Sequence, residues 1–153
     1  DYAANAAAKA LAAARASGLP ALGDDSGLEV EALGGAPGPR SARFGGPGLD
    51  DAGRTRALLA ALDGVPAERR GARFVCVAAL ATPDGVVATA RGECPGRIAT
   101  EPRGSAGFGY DPIFETAPGG PTMAELPEAE KERISHRGRA FRALGPSLRA
   151  LPG

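Results

Sequence analysis

Four consecutive residues, Asp24-Asp25-Ser26-Gly27, carry the densest chemistry in the chain. Two adjacent carboxylates repel, so both stay ionised comfortably only with solvent or a cation nearby. Oxygen donors of this kind suit Mg²⁺, which is commonly held by one or two carboxylates together with substrate phosphates. The same residue types also make an ordinary solvated turn. The two lysines come next. Of 18 basic residues only Lys9 and Lys131 are lysine, in a chain that otherwise uses arginine. A retained lysine suggests a position that needs a compact ammonium on a flexible stem, as phosphate binding does. Two neutral surface lysines are the plainer alternative. The single histidine, His136, invites the same argument with less force. A further candidate is the glycine-rich segment GSAGFGYDPIFE at 104–115. Gly104, Gly107 and Gly109 let backbone approach a ligand closely. Phe108, in such a loop, is not a core position and is free to stack on a base. The segment matches neither a Walker A loop nor a dinucleotide fingerprint.

Those residues need elements to place them. NAAAKALAAARAS predicts a helix over Asn5 to Ser17, stopped by Gly18 and Pro20, with Asn5 and Lys9 four apart on one face. Apolar runs on both sides of Asp24–Gly27 predict two strand-like pieces joined by a tight polar turn at a sheet end. The segment GGAPGPRSARFGGPG is irregular by composition; its Arg40 and Arg43 could touch phosphate or merely solvent, and solvent is the favoured reading. Asp50 to Leu62 predicts a capped helix, with Leu58, Leu59 and Leu62 as its apolar stripe. RFVCVAAL at 73–80 reads as a strand buried on both faces, and Pro83-Asp84-Gly85 as the turn returning into Val86 to Gly92. Ile113-Phe114 reads as a short strand opened by Asp111-Pro112. A helix begins at Pro127 and carries Lys131; Ser-His-Arg-Gly at 135–138 interrupts. A last amphipathic helix runs from Arg139 to Leu151, with Phe141, Leu144 and Leu148 inward.

Length and composition bound the class. A chain of 153 residues predicts one domain with a real core. Formal net charge is zero, which gives no electrostatic footprint for nucleic acid or membrane. No apolar run approaches a membrane span and no signal segment is evident, which favours a cytoplasmic protein. Cys76 and Cys94 each lie nine residues from Gly85, nearly opposite in a regular hairpin. A disulfide is conceivable there, but a one-residue register shift would point them to opposite faces, and without secretory signals they read better as reduced thiols, Cys76 in the core and Cys94 at a strand end.

Together these segments form a resemblance. NAAAKA at 5–10, GLPALGDDSGLEVEALGGAPG at 18–38, SARF at 41–44, GFGYDPIF at 107–114 and TMAEL…EKERISHRGRA at 122–140 resemble the inosine/xanthosine triphosphate pyrophosphatase family, in order along nearly the whole chain. The resemblance implies an α/β protein, elongated and two-lobed around a long mixed β-sheet with flanking helices. It implies a homodimer that hydrolyses ITP, dITP or XTP to the monophosphate and pyrophosphate with Mg²⁺. Asp25 matches the general base and metal ligand, with Asp24 beside it, and Ser26 matches a substrate contact. Phe108, Gly109, Tyr110 and Asp111 match the base-binding loop. Lys131 with His136 and Arg137 match phosphate and purine-keto contacts, and Lys9 a phosphate-side lysine. Both lysines singled out by composition thus fall on motif positions.

The residue types agree with that chemistry. Attack at phosphorus needs charge neutralised on the triphosphate and a positioned water. Arg137, always a donor, can meet the 6-keto oxygen of hypoxanthine or xanthine, and an adenine amino group there would leave a buried donor unpaired. Two departures stand out. The family opens with a strand and a Ser/Thr-x-Asn-x-x-Lys phosphate loop, so residues 1–153 read as a single domain lacking both. The family glutamate before the motif asparagine is Ala4 here. Ala4 supports an alternative, a nucleotide-binding or dimer-partner protein with weakened turnover. A phosphatase using Asp25 as covalent nucleophile is a third option.

Overall fold

The computed structural model describes residues 1–152. Helix α1 (Tyr2–Ser17) is capped by Asp1, whose carboxylate accepts the Ala4 N–H at 2.7 Å, and ends at Gly18. Strand β1 (Ala21–Val30) follows, then the short β2 (Pro37–Gly38). Asp50 caps α2 (Asp51–Ala61) by accepting the Gly53 N–H at 2.7 Å. Strands β3 (Gly71–Thr82) and β4 (Gly85–Ile98) form the expected hairpin through Pro83-Asp84, both longer than the sequence pattern indicated. A 3-10 turn at Asp111–Ile113 leads into β5 (Phe114–Glu115), and α3 (Glu128–Ile134) and α4 (His136–Arg149) close the chain. The five strands make one sheet in the order β2-β1-β3-β4-β5, with β1–β2 and β4–β5 antiparallel. The class is α/β, a sheet with helices.

Several expectations change. Asp24–Gly27 is not a turn but the middle of β1. Turn propensity yields here because the flanking apolar residues and a close-packed helix hold the backbone extended. The interruption expected over Ser135–Gly138 is confined to Ser135, between α3 and α4. Ser135 caps α4, accepting the Gly138 N–H at 3.0 Å, so His136 and Arg137 form its first turn. Leu148 is not inward: Ala140 and Leu144 complete the buried stripe, and Leu148 is exposed one turn beyond it.

Two compact units divide the chain: one of Asp1–Ser26, Val75–Glu93 and the chain from Glu132 onward, the other of Gly27–Phe74 and Cys94–Lys131. In the first unit the two-residue period of β3 explains both halves of the core. Val75, Val77, Ala79 and Ala81 pack with Tyr2, Ala6, Ala10 and Ala14 of α1. Cys76 and Ala78 pack with Ala140 and Leu144 of α4. The alanine stripe of α1 permits a close approach to the sheet. A Cβ on Gly23 would lie 2.6 Å from the Ala10 backbone nitrogen, so β1 needs glycine there.

In the second unit Leu28, Val30, Leu58, Leu62, Ile98, Ile113 and Met123 are buried, and the Phe74 and Phe114 rings lie 4.3 Å apart. Buried Arg70 gathers four carbonyls, donating to Ile98, Leu62, Val65 and Ala99 at 2.9–3.2 Å. Burial lowers its pKa, but an arginine stays protonated. Both cysteines are buried free thiols, Cys94 within β4 rather than at its end.

Candidate active site

In the first unit, α1 presents Asn5 and Lys9 on one face, one turn apart. Asn5 Nδ2 donates to Asp25 Oδ2 at 2.9 Å. Lys9 Nζ lies 3.5 Å from Asp25 Oδ1 and donates to the Asp24 carbonyl at 3.2 Å. Both oxygens of the half-buried Asp25 carboxylate are therefore held by one helix face, while the Lys9 side chain stays 60% exposed. The close α1–β1 packing at Gly23 sets this geometry, because strand residues 23 and 25 share a face.

Asp24 belongs to the opposite face of β1, since successive strand side chains alternate. Its Oδ2 lies 3.6 Å from Arg137 Nε at the start of α4 and 3.8 Å from the Cys76 thiol. Burial pushes the Cys76 pKa up, the Ser26 hydroxyl counters it, and Asp24 adds to the rise, so the thiol is the donor. The adjacent acids consequently do not form the single carboxylate pair that a tight turn would make. Ser26 is half-buried on the Asp24 face, and His136 is half-buried beside Arg137.

Among the described residues, no three His, Cys, Asp or Glu side chains gather as a metal cage. A hard divalent cation that keeps several waters and takes substrate phosphates needs only one or two carboxylates. Half-buried Asp25 meets that need.

In the second unit, the loop 107–111 is tightly built. Phe108 N–H donates to Asp111 Oδ2 at 3.2 Å, and Lys131 Nζ meets the same oxygen at 2.6 Å in a largely buried ion pair. The Lys131 ammonium also lies 4.9 Å from the centroid of the Phe108 ring, which is 69% exposed. Such a contact is a cation–π interaction. Gly107 is required here: its φ is +78°, and a Cβ would overlap the Asp111 carboxylate. Gly109 N–H donates to Asp51 Oδ2 at 2.9 Å. Tyr110 is buried, its hydroxyl donating to the Ser41 carbonyl at 2.6 Å, and burial pushes its pKa up to about 12. Phe108 thus protrudes while Tyr110 and Asp111 anchor the loop beneath it.

Known proteins similar to this chain agree with one another. The Ham1 family profile matches residues 1–147. The chain belongs to the Ham1 family. It is 58% identical over 140 residues to the dITP/XTP pyrophosphatase of Syntrophobacter fumaroxidans, covering 92% of this chain and 60% of that one. It is 54% identical over 147 residues to the dITP/XTP pyrophosphatase of Nocardia farcinica, covering 96% and 71%. The structure of a HAM1 protein from Coxiella burnetii superposes with a TM-score of 0.87 at 44% identity, covering 98% and 77%. The Ham1 chain described here therefore spans 60% of the first relative's length and 71% of the second's.

Sequence reasoning placed Asn5 beside Lys9 but missed its bond to Asp25, because the burial and approach of α1 are tertiary facts. It also missed Cys76 as the neighbour of Asp24; the alternation of β1 and β3 is the signal that could have paired them.

Proposed function

We propose that this Ham1 chain hydrolyses purine nucleoside triphosphates of the ITP, dITP and XTP class to the monophosphate and pyrophosphate. The observation that carries this reading is the 54–58% identity to chains named dITP/XTP pyrophosphatase. Asp25 takes the proton of the water that attacks phosphorus, the phosphoanhydride bond breaks, and pyrophosphate leaves with the bonding electrons. Asn5 and Lys9 hold Asp25 in position for that transfer. Lys9 and Lys131 offset triphosphate charge, and Ser26 supplies a polar contact. Phe108 offers a stacking face, on a loop fixed by Gly109, Tyr110 and Asp111. His136 and Arg137 donate toward the purine keto oxygen, with Arg137 oriented by Asp24. A divalent cation, Mg²⁺ in this proposal, would be held by Asp25 and the substrate phosphates, while Asp24, on the opposite face of β1, pairs with Arg137 instead. When bound it supplies charge neutralisation and a more acidic water. The chain works as a homodimer in the cytoplasm in this reading. Among the described residues no helix is long and apolar enough to cross a membrane.

The test is pyrophosphate release from ITP, dITP, XTP, GTP and ATP, with and without Mg²⁺. Release from the first three is expected, and Asp25→Asn should lower it by roughly 10²-fold or more, the usual worth of a general base. Binding of ITP without release would leave a nucleotide-binding protein instead, and release of single phosphates would replace the base role of Asp25 with a nucleophilic one.

A further inference from the structure

An open concavity of about 470 Å³ in the second unit is lined by Ala36, Pro37, Arg40, Arg43 and Phe44. Arg40 leads into the 3-10 turn Ser41–Arg43, and the Arg43 N–H donates to the Arg40 carbonyl at 2.9 Å. Three residues per turn place side chains i and i+3 alongside each other, so both guanidiniums serve the same concavity. Each is exposed, and neither guanidinium has a hydrogen bond or ion pair among the described residues. Another cavity of the unit, about 490 Å³, differs: its Arg73 lies 2.8 Å from Glu29. Arg54, Arg97 and Arg103 are also paired with carboxylates. Two like charges one turn apart with no carboxylate to offset them destabilise the empty state.

The platform beneath these charges is fixed. Ser41 Oγ accepts the Leu28 N–H at 2.8 Å and donates to the Gly38 carbonyl at 2.6 Å. The Ser41 carbonyl accepts the Tyr110 hydroxyl at 2.6 Å, with both residues buried. A rigid turn thus carries two free planar forks at the rim of a concavity, beside the half-buried Phe44. Such forks match phosphate oxygens in a bidentate manner.

We propose that Arg40 and Arg43 form a receptor for a phosphate or pyrophosphate group. The group has two possible sources. One is the substrate or product of the activity proposed above, on which that version rests. The other is a separate phosphate ligand, independent of turnover.

The experiment titrates pyrophosphate without divalent cation into the full chain by calorimetry, for wild type, R40A/R43A and R40K/R43K, with melting curves to verify folding. Losing two charge-assisted contacts should weaken binding roughly tenfold or more. The lysine pair should recover only part, because a point charge lacks the fork. Inosine affinity should not change. A parallel rise in KM for ITP in R40A/R43A assigns the site to the substrate's own phosphates, whereas an unchanged KM assigns it to a separate ligand. Equal pyrophosphate affinity in wild type and a folded R40A/R43A overturns the site. If ITP is not hydrolysed at all, the proposed activity fails, yet the pyrophosphate titration still reads these two arginines.

Discussion

Asp25 is held by two neighbours of different kind. Lys9 brings charge but is largely exposed, so solvent screens its attraction. Asn5 brings no charge, but its amide has the shorter contact, 2.9 Å to Oδ2. Direction therefore comes mainly from Asn5 and field mainly from Lys9. We predict that Asn5→Ala lowers kcat for ITP by roughly tenfold, the scale of one hydrogen bond to a charged group, with KM little changed. Asn5 is exposed on α1 and alanine is the better helix former, so melting temperature should hold or rise. A stability loss that matches the activity loss would make Asn5 a structural residue, and an unchanged kcat would remove it from positioning altogether.

At the scale of elements, the decisive contact is α1 against β1. The alanine run announced the helix, and RFVCVAAL announced a strand buried on both faces; both formed where composition pointed. Asp24–Gly27 was less legible. Asp, Ser and Gly are turn residues by local chemistry, and only packing made in three dimensions keeps them in a strand. The consequence is large, because alternation sends Asp25 to Asn5 and Lys9 and sends Asp24 to Arg137. The Ser135 cap was hidden for a related reason: Ser-His-Arg-Gly reads as a four-residue break until the Ser135–Gly138 bond shows that the next helix begins within it. Phe108, in contrast, was legible from its glycine neighbours alone, and it is exposed. Gly23 gives the element-scale prediction. A Cβ there meets backbone atoms of Ala10, which cannot rotate aside. Gly23→Ala should cost about 1–3 kcal/mol, as overpacking does, read by urea denaturation. It should also lower turnover in molecules that remain folded, since α1 must shift and carries Asn5 and Lys9 with it. A fully stable, fully active Gly23→Ala protein would show that α1 has slack and that its closeness does not set the Asp25 geometry.

For the whole molecule, acidic and basic residues balance at 18 each, so net repulsion is least near neutral pH. The pH dependence of stability should then follow particular groups whose pKa differs between folded and unfolded states. Two anchors of the second unit bracket the range. Burial works against ionised Glu115, yet hydrogen bonds from Arg97 at 3.0 Å and Arg103 at 2.9 Å hold its pKa below the ordinary 4.5. A depressed folded pKa means that the unfolded chain binds the proton first. The stability Glu115 contributes is therefore present above pH 4.5 and lost as pH falls through its lower folded value. Tyr110 has the opposite sign. Burial raises its pKa from 10.0 to about 12, so its contribution is present below pH 10.0 and lost as pH rises toward 12. We predict that urea denaturation across this range shows wild type and Glu115→Gln converging on the acid side. On the alkaline side, Tyr110→Phe should be less stable than wild type at neutral pH, because the Ser41 carbonyl loses its donor. That gap should narrow between pH 10.0 and about 12, where the wild-type phenol ionises more readily in the unfolded chain. Lysine and arginine titration is common to both proteins and cancels in the comparison. A gap that stays constant across that alkaline window would mean that the Tyr110 hydroxyl is open to solvent, and the loop carrying Phe108 would then lack the anchor that fixes it.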